Sequence, residues 1–320
     1  MKLLVSGSLN YDTYLFVDNF APPKSVVKQI KNYLGGSGGN AAVSAAKILG
    51  KNNVVFLGAV GDDEIAEKHL EDLKASGVET SYVVKVKNVL SGRSFIAVNR
   101  LGETAIYSYY GANEFLNVEY VAKVLENIID KLEGVLIMNP PLEVATFIAV
   151  KSKSRNVKVF WDPGTLVRFG MTQLMTALSS TDYFMPNENE LITLTGEGSL
   201  HKSLEALAKV NPKMRIIIKM GAKGSALYSL EGTSFCFTAA KPESLGLKTV
   251  STSGCGDVYV GVFTALKVLG SSDVEAAIAA TCASTIKAST DNPHGGPDLE
   301  TLNKYLEICR KHINVRECWF

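Results

Sequence analysis

Two glycine clusters open amphipathic stretches in this chain, and the second carries a carboxylate. Ser251-Thr-Ser-Gly254-Cys255-Gly256-Asp257 leads into Val258-Tyr-Val-Gly-Val-Phe-Thr-Ala-Leu, which has helical spacing. A glycine-rich turn that opens a helix aims several unpaired N–H groups at one spot, with the positive end of the helix dipole behind them. Such a turn holds an anion. For binding alone a carboxylate there is unwelcome, because like charges repel. Asp257 makes sense if it takes a proton from a nucleophile while the amides of Gly254, Cys255 and Gly256 hold the charge on a transferred phosphoryl group. The bland alternative is an aspartate that only complements the helix dipole, worth about 0.3–1 kcal/mol. No G-x-x-x-x-G-K-[ST] occurs anywhere, which excludes a P-loop nucleotide hydrolase.

The first cluster, Gly35-Gly36-Ser37-Gly38-Gly39-Asn40, precedes Ala41-Ala-Val-Ser-Ala-Ala. As a pattern it is promiscuous. Gly36-x-Gly38-x-x-Ala41 fits a dinucleotide fingerprint, with Asp62 as the ribose acid, and Gly35 to Gly39 fits a nucleophile elbow. Both need a buried strand immediately upstream, whereas Lys28-Gln-Ile-Lys-Asn-Tyr-Leu34 alternates charged and apolar residues like a half-exposed strand. What survives is small residues that bring backbone and Asn40 close to a ligand at a helix start. A nicotinamide-dependent dehydrogenase therefore stays a distant alternative, and it leaves Gly254–Asp257 unexplained.

The elements that must position these residues form an α/β pattern. Short apolar runs at 54–60, 134–138, 157–161 and 215–219 read as buried strands, and 1–8 as the first one. Helical spacing at 39–50, 63–76, 118–131 and 142–154 lies between them, and further helices follow near 255–269, 272–290 and 298–311. Alternation of this kind predicts a central, mostly parallel sheet with helices on both faces. Segments 12–34 and 81–111 break the rhythm with strand-like alternation. They read as a small β-sheet lid within a single domain spanning 1–320, since ligands of open α/β sheets bind beyond the carboxyl ends of the strands. Tyr14, Phe16 and Phe20 would close that lid over a ligand or pack a homodimer.

With 320 residues, 46% hydrophobic positions and 33 basic against 32 acidic side chains, the chain has a sizeable core and no electrostatic footprint for nucleic acid. No run reaches the ~18 apolar residues of a membrane span, and the first strand is too short for a signal sequence. Five cysteines, odd in number and without paired metal spacing, read as reduced thiols of a cytoplasmic protein. His69, His201 and His312 read as helix-surface residues.

Across essentially its whole length the chain resembles the ribokinase-like carbohydrate kinases of the PfkB family. Gly7-Ser-Leu-Asn10-Tyr-Asp12, Gly35–Asn40, Pro186-Asn187-Glu-Asn-Glu190 and Ser251–Asp257 carry the resemblance, supported by Gly111-Ala-Asn113 and Lys219-Met-Gly221-Ala-Lys-Gly224. The resemblance implies ATP-dependent phosphorylation of a hydroxyl on a small sugar or polyol, with a nucleoside as the alternative acceptor. In it Asp257 matches the general base and the 254–256 amides the anion hole. Asn10, Asp12, Gly36 and Asn40 match sugar-binding positions. Asn187 and Glu190 match the element that positions Mg²⁺ and phosphates, Glu190 on the metal side. Lys219, Gly221 and Gly224 fall on the ATP side, and Thr281 near the adenine. Ser251 stands where some relatives carry an aspartate that helps hold a monovalent cation. Asn139 stands where ribokinases carry a sugar-contacting glutamate. Arg168 would reach an anionic substrate group, and His294 lies in a turn near the nucleotide. A catalytically silent sugar- or nucleotide-binding regulator on the same fold is the remaining rival.

Overall fold

The computed structural model of the protein describes residues 1–20, 24–101, 103–229 and 231–318. In chain order the strands are β1 (Leu3–Gly7), β2 (Asn10–Val17), β3 (Val27–Gly35), β4 (Val54–Leu57), β5 (Ala59–Val60), β6 (Val78–Glu79), β7 (Val84–Lys85), β8 (Gly92–Val98) and β9 (Thr104–Tyr109), followed by β10 (Gly134–Met138), β11 (Lys158–Asp162), β12 (Tyr183–Phe184), β13 (Arg215–Lys219), β14 (Ser225–Tyr228), β15 (Phe235–Phe237) and β16 (Val315–Glu317). The helices are α1 (Ser37–Leu49), α2 (Glu64–Ala75), α3 (Val118–Ile128), α4 (Leu142–Ser154), α5 (Gly170–Ser179), α6 (Glu188–Thr195), α7 (Leu200–Val210), α8 (Cys255–Val268), α9 (Asp273–Lys287) and α10 (Leu299–His312).

Ten strands form the main sheet in the order β16-β15-β14-β13-β12-β11-β10-β1-β4-β6. It is parallel from β13 to β6 and antiparallel across the β14–β16 edge. Continuous apolar strands belong in such a place because both faces are covered. Alternate residues of β1 serve opposite cores: Leu3 and Val5 pack with α1, α8 and α9, while Leu4 packs with α3 and α4. Helix starts are chemically marked as well. Asp63, Asn117 and Asp298 each accept a backbone N–H in the first turn of α2, α3 and α10.

The two irregular segments do meet in a separate sheet, in the order β3-β2-β8-β9. Its strands cover 10–17, 27–35, 92–98 and 104–109; residues 84–85, inside the second segment, pair instead with Ala59–Val60. β3 is far more exposed than half-buried, so neither a dinucleotide fold nor a nucleophile elbow has the buried strand it requires. Among the described residues no helix is long and apolar enough to cross a membrane.

Two sequence expectations are corrected. Four of the five cysteines are bonded, Cys236 to Cys318 and Cys282 to Cys309, leaving Cys255 free. Partners 82 and 27 residues apart leave no local spacing to read. Loop-closure arithmetic gives each bond about 3–5 kcal/mol of stabilisation through the unfolded chain. Urea melts are therefore expected to show C282A/C309A about 3 kcal/mol less stable than the wild type, and reductant should depress the wild-type midpoint further than that of the variant. His69, expected on the surface, is 1% exposed. It lies on the inward stripe of α2 with Ile65, Ala66 and Leu73, and burial pulls its pKa down to about 4.

Candidate active site

The chain turns from β1 into the small sheet and returns at the start of α1, so the carboxyl end of β1 faces the first glycine cluster. That approach is close: a β-carbon at Gly38 would sit 2.7 Å from the carbonyl carbon of Gly7, a contact only glycine permits. Gly36 caps α1 with φ +88°. Helix α1 then runs beside α8, where a β-carbon at Gly261 would meet the Ala41 carbonyl at 2.5 Å. This packing places the two glycine clusters side by side. Asn40, 4% exposed, donates from Nδ2 to Asp257 Oδ2 at 2.8 Å, and its own Oδ1 is enclosed without a partner.

Asp257 sits in the first turn of α8, whose cap Gly254 has φ +78°, the left-handed region glycine adopts without strain. Its carboxyl is pushed up to about 7, first by burial and then by the charges of Asp162 and Asp12, against the Asn40 hydrogen bond and Lys219. The turn expected to hold an anion differs in one detail from that expectation. Cys255 turns its N–H back to the Thr252 carbonyl at 3.2 Å, whereas the amides of Gly254 and Gly256 have no acceptor among the described residues. The Cys255 thiol faces the Ser284 carbonyl of α9 at 3.4 Å.

On the side of the small sheet, Asn10 is held between Ser94, to which Nδ2 donates at 3.3 Å, and Asn113, whose Nδ2 donates to Asn10 Oδ1 at 3.0 Å. Asp12 packs over Gly35, where a β-carbon would lie 2.3 Å from Oδ2. Burial pushes its carboxyl up to about 6. The sheet is latched across the site: Tyr14 O–H and Ser253 Oγ lie 2.8 Å apart, and Lys31 pairs with Asp291 at 2.7 Å. Asn113 and Asn139 line a crevice of about 230 Å³ with Tyr110, Thr165 and Arg168. Thr165 donates to Asn139 Oδ1 at 2.8 Å, and the Arg168 guanidinium lies over the Tyr110 and Phe169 rings.

The other side is built from the carboxyl ends of β11, β12 and β13. Lys219, closing β13, pairs with Asp162, closing β11. Asn187 follows β12 and forms a capping box with Glu190: Glu190 N–H donates to Asn187 Oδ1 and Asn187 N–H to Glu190 Oε2, both at 2.8 Å. The pair thus caps the start of α6, and the Glu190 carboxyl also meets charge. Burial and then Asp162 push it up to about 7, with Lys219 opposing. A β-carbon on Gly256 would be 3.9 Å from Lys219 Nζ, which brings this side to the anion turn. Gly221 has open space around it, and Gly224, at φ +109°, presses against the Phe237 carbonyl. Thr281 stands apart: it is 5% exposed, and its hydroxyl donates to the Ala277 carbonyl at 2.8 Å. His294 is buried, its Nδ1 2.8 Å from Asp72 Oδ2.

Sequence reasoning passed over Asp162 as a site residue. The signal for Asp162 was present, since a carboxylate closing a buried apolar strand demands a partner. Among the described residues no three His, Cys, Asp or Glu side chains form a metal cluster.

The family described as pfkB family carbohydrate kinase matches residues 1–295. The chain is 32% identical over 317 residues to a deoxyribokinase of Salmonella typhi, covering 96% of this chain and 99% of the relative. A ribokinase of Arabidopsis thaliana, solved with ribose and ATP, superposes with a TM-score of 0.81 at 26% identity, over 96% of this chain and 98% of that one. A nucleoside kinase of Burkholderia thailandensis, solved with inosine, shares the fold with a TM-score of 0.81 at 17% identity, over 98% of both chains.

Proposed function

The chain belongs to the pfkB family of carbohydrate kinases, and from that membership we propose that it transfers the γ-phosphoryl group of ATP to a hydroxyl of a small, pentose-sized sugar, with Asp257 as the general base. The observation that carries this reading is the Asn40–Asp257 hydrogen bond at 2.8 Å. It fixes a carboxylate where the sugar-facing helix α1 meets the anion turn of α8. A pKa near 7 suits a base working at neutral pH.

In this reading Asn10, Asp12 and the unpartnered Oδ1 of Asn40 receive the sugar hydroxyls, an arrangement of donors and acceptors that a polyol needs. Asp257 takes the proton of the reacting hydroxyl as its oxygen bonds to the γ-phosphorus. The bond from that phosphorus to the β,γ-bridging oxygen breaks, and ADP leaves. The amides of Gly254 and Gly256 face the charge of the transferred group, and Lys219 stands on its nucleotide side. Magnesium fits the donor set. Glu190 faces the like charge of Asp162, and one or two carboxylates plus phosphates and water are what this ion accepts. When bound, it neutralises phosphate charge. The small sheet acts as the lid, Tyr14 and Lys31 holding it shut. Its outward face leaves Ile30, Phe95 and Tyr107 exposed, the side chains a second copy would cover.

The crevice beside Asn139 favours a second reading, since its 230 Å³ offers room beyond a sugar for the base of a nucleoside. A panel of 2-deoxyribose, ribose, hexoses, inositol and nucleosides with Mg–ATP tests both. Turnover of a free pentose at well above the nucleoside rate is expected; turnover confined to nucleosides would transfer the assignment to the second reading, and consumption of NAD with no kinase activity would end both.

A further inference from the structure

The anion turn has a charged residue behind it that the mechanism above does not use. Lys287, the last residue of α9, is 0% exposed, which is rare for a lysine. Its side chain runs behind Gly254: a β-carbon on that glycine would lie 3.6 Å from Lys287 Cε. Nζ donates to the Thr290 carbonyl at 3.0 Å and forms no salt bridge among the described residues. An ammonium has three donors, so most of its capacity is not consumed by that bond. Burial lowers its pKa, while Cys255, Asp291 and Asp257 act the other way.

The same place is a junction. Val250 and Ser251 N–H groups donate to the Ala288 carbonyl at 2.8 and 3.1 Å, and Ser284 Oγ donates to the Cys255 carbonyl at 2.9 Å. Asp291, four residues on from Lys287, receives the latch lysine, Lys31, from the lid. The anion turn, the end of α9 and the lid latch therefore converge on one enclosed cation. A buried charge costs several kcal/mol unless something opposite in sign faces it. The paired carboxylates of the site are already served: Asp162 by Lys219 and Asp291 by Lys31.

We infer that Lys287 is a positioning residue that supplies an internal cation to the phosphate-binding turn, favouring negative charge at Gly254–Gly256 and making the turn independent of any added monovalent cation. The idea rests on the phosphate-binding part of the phosphoryl-transfer reading of that turn, not on the transfer step. It requires that phosphate charge, rather than adenosine, feel the loss of the ammonium.

The test is K287M, which keeps the length and apolar stem but removes the charge, beside K287A and the wild-type chain. By calorimetry, K287M should bind Mg–ATP roughly tenfold more weakly while adenosine binding stays unchanged, a charge effect at low dielectric. With a turned-over acceptor, kcat should fall about 10–100-fold, less than for loss of a direct oxyanion donor. In K287A, replacing tetramethylammonium chloride by ammonium or potassium chloride at fixed ionic strength should restore part of kcat. The wild type should ignore that exchange. Wild-type ATP affinity in K287M, or a wild type that is itself strongly stimulated by potassium, would overturn the inference. If no acceptor is turned over yet K287M loses ATP and keeps adenosine, the phosphoryl-transfer reading fails and this one stands; should the variants not fold, the salt exchange on the wild type still decides.

Discussion

Replacing Asp257 by asparagine should lower kcat by ~10²–10⁴-fold, the usual cost of losing a placed general base, while the affinity for ATP changes little. The substitution keeps the shape of the side chain and an oxygen for the Asn40 amide, so the loss would report the proton and not the fold. It should also stabilise the protein at neutral pH. Folding raises this carboxyl from 3.8 to about 7, so the folded state favours the protonated form. A raised carboxyl contributes stability below its unfolded pKa and loses it as pH rises through the folded one. Above pH 7 the wild type therefore bears a charge that asparagine lacks. Melting of the nucleotide-free proteins should show D257N higher by about 2–8 °C at pH 8, the gap closing toward pH 4. Equal turnover in the two proteins would remove Asp257 from the chemistry. Equal melting at every pH would remove the buried carboxylate from the account of the site.

The second large effect is structural first and catalytic second. Lys219 and Asp162 have side chains 15% and 7% exposed, and they face each other across the ends of β13 and β11. Breaking a buried pair from one side strands the other charge, at a cost of about 3–5 kcal/mol. K219M should lose that much stability in a denaturant melt, and D162N/K219M should recover most of it, because the stranded charge is then gone. The surviving carboxyls give a second readout. Lys219 opposes the rise of both Glu190 and Asp257, so without it both move further up. The acid limb of kcat/KM in K219M should shift to higher pH than in the wild type. A K219M protein with unchanged stability would mean the pair is hydrated and worth little.

Much of this architecture is written in local pattern. β1, β10, β11 and β13 are continuous apolar runs, legible because a strand covered on both faces needs no polar side. The helices α1 to α4 and α8 to α10 show their inward stripes, and the segments of the small sheet betray themselves by alternation. The stretch from 163 to 214 is less open. Its strand β12 is two residues long, and α6 buries only Leu191 and Leu194, too little for a periodic signal. Residues joined by topology alone are silent in sequence. Asp162 and Lys219 lie 57 residues apart and meet only because β11 and β13 flank β12. The cysteine pairs are silent for the same reason. His69 misleads because a polar residue on an apolar stripe looks like a surface residue until its neighbours are known. The glycine clusters were legible as backbone devices, but not their neighbourhood: only the α1–α8 packing puts Asn40 on Asp257.

The central claim is spatial, so the most direct measurement is the structure of a ternary complex with a phosphorylatable sugar and a non-hydrolysable ATP analogue. It should place one acceptor hydroxyl within ~2.6–3.2 Å of an Asp257 carboxylate oxygen, with Asn10 and Asp12 on the remaining hydroxyls and the γ-phosphate over the Gly254 and Gly256 amides. A sugar bound with every hydroxyl beyond the reach of Asp257, or a nucleotide whose phosphates leave that turn empty, would contradict it.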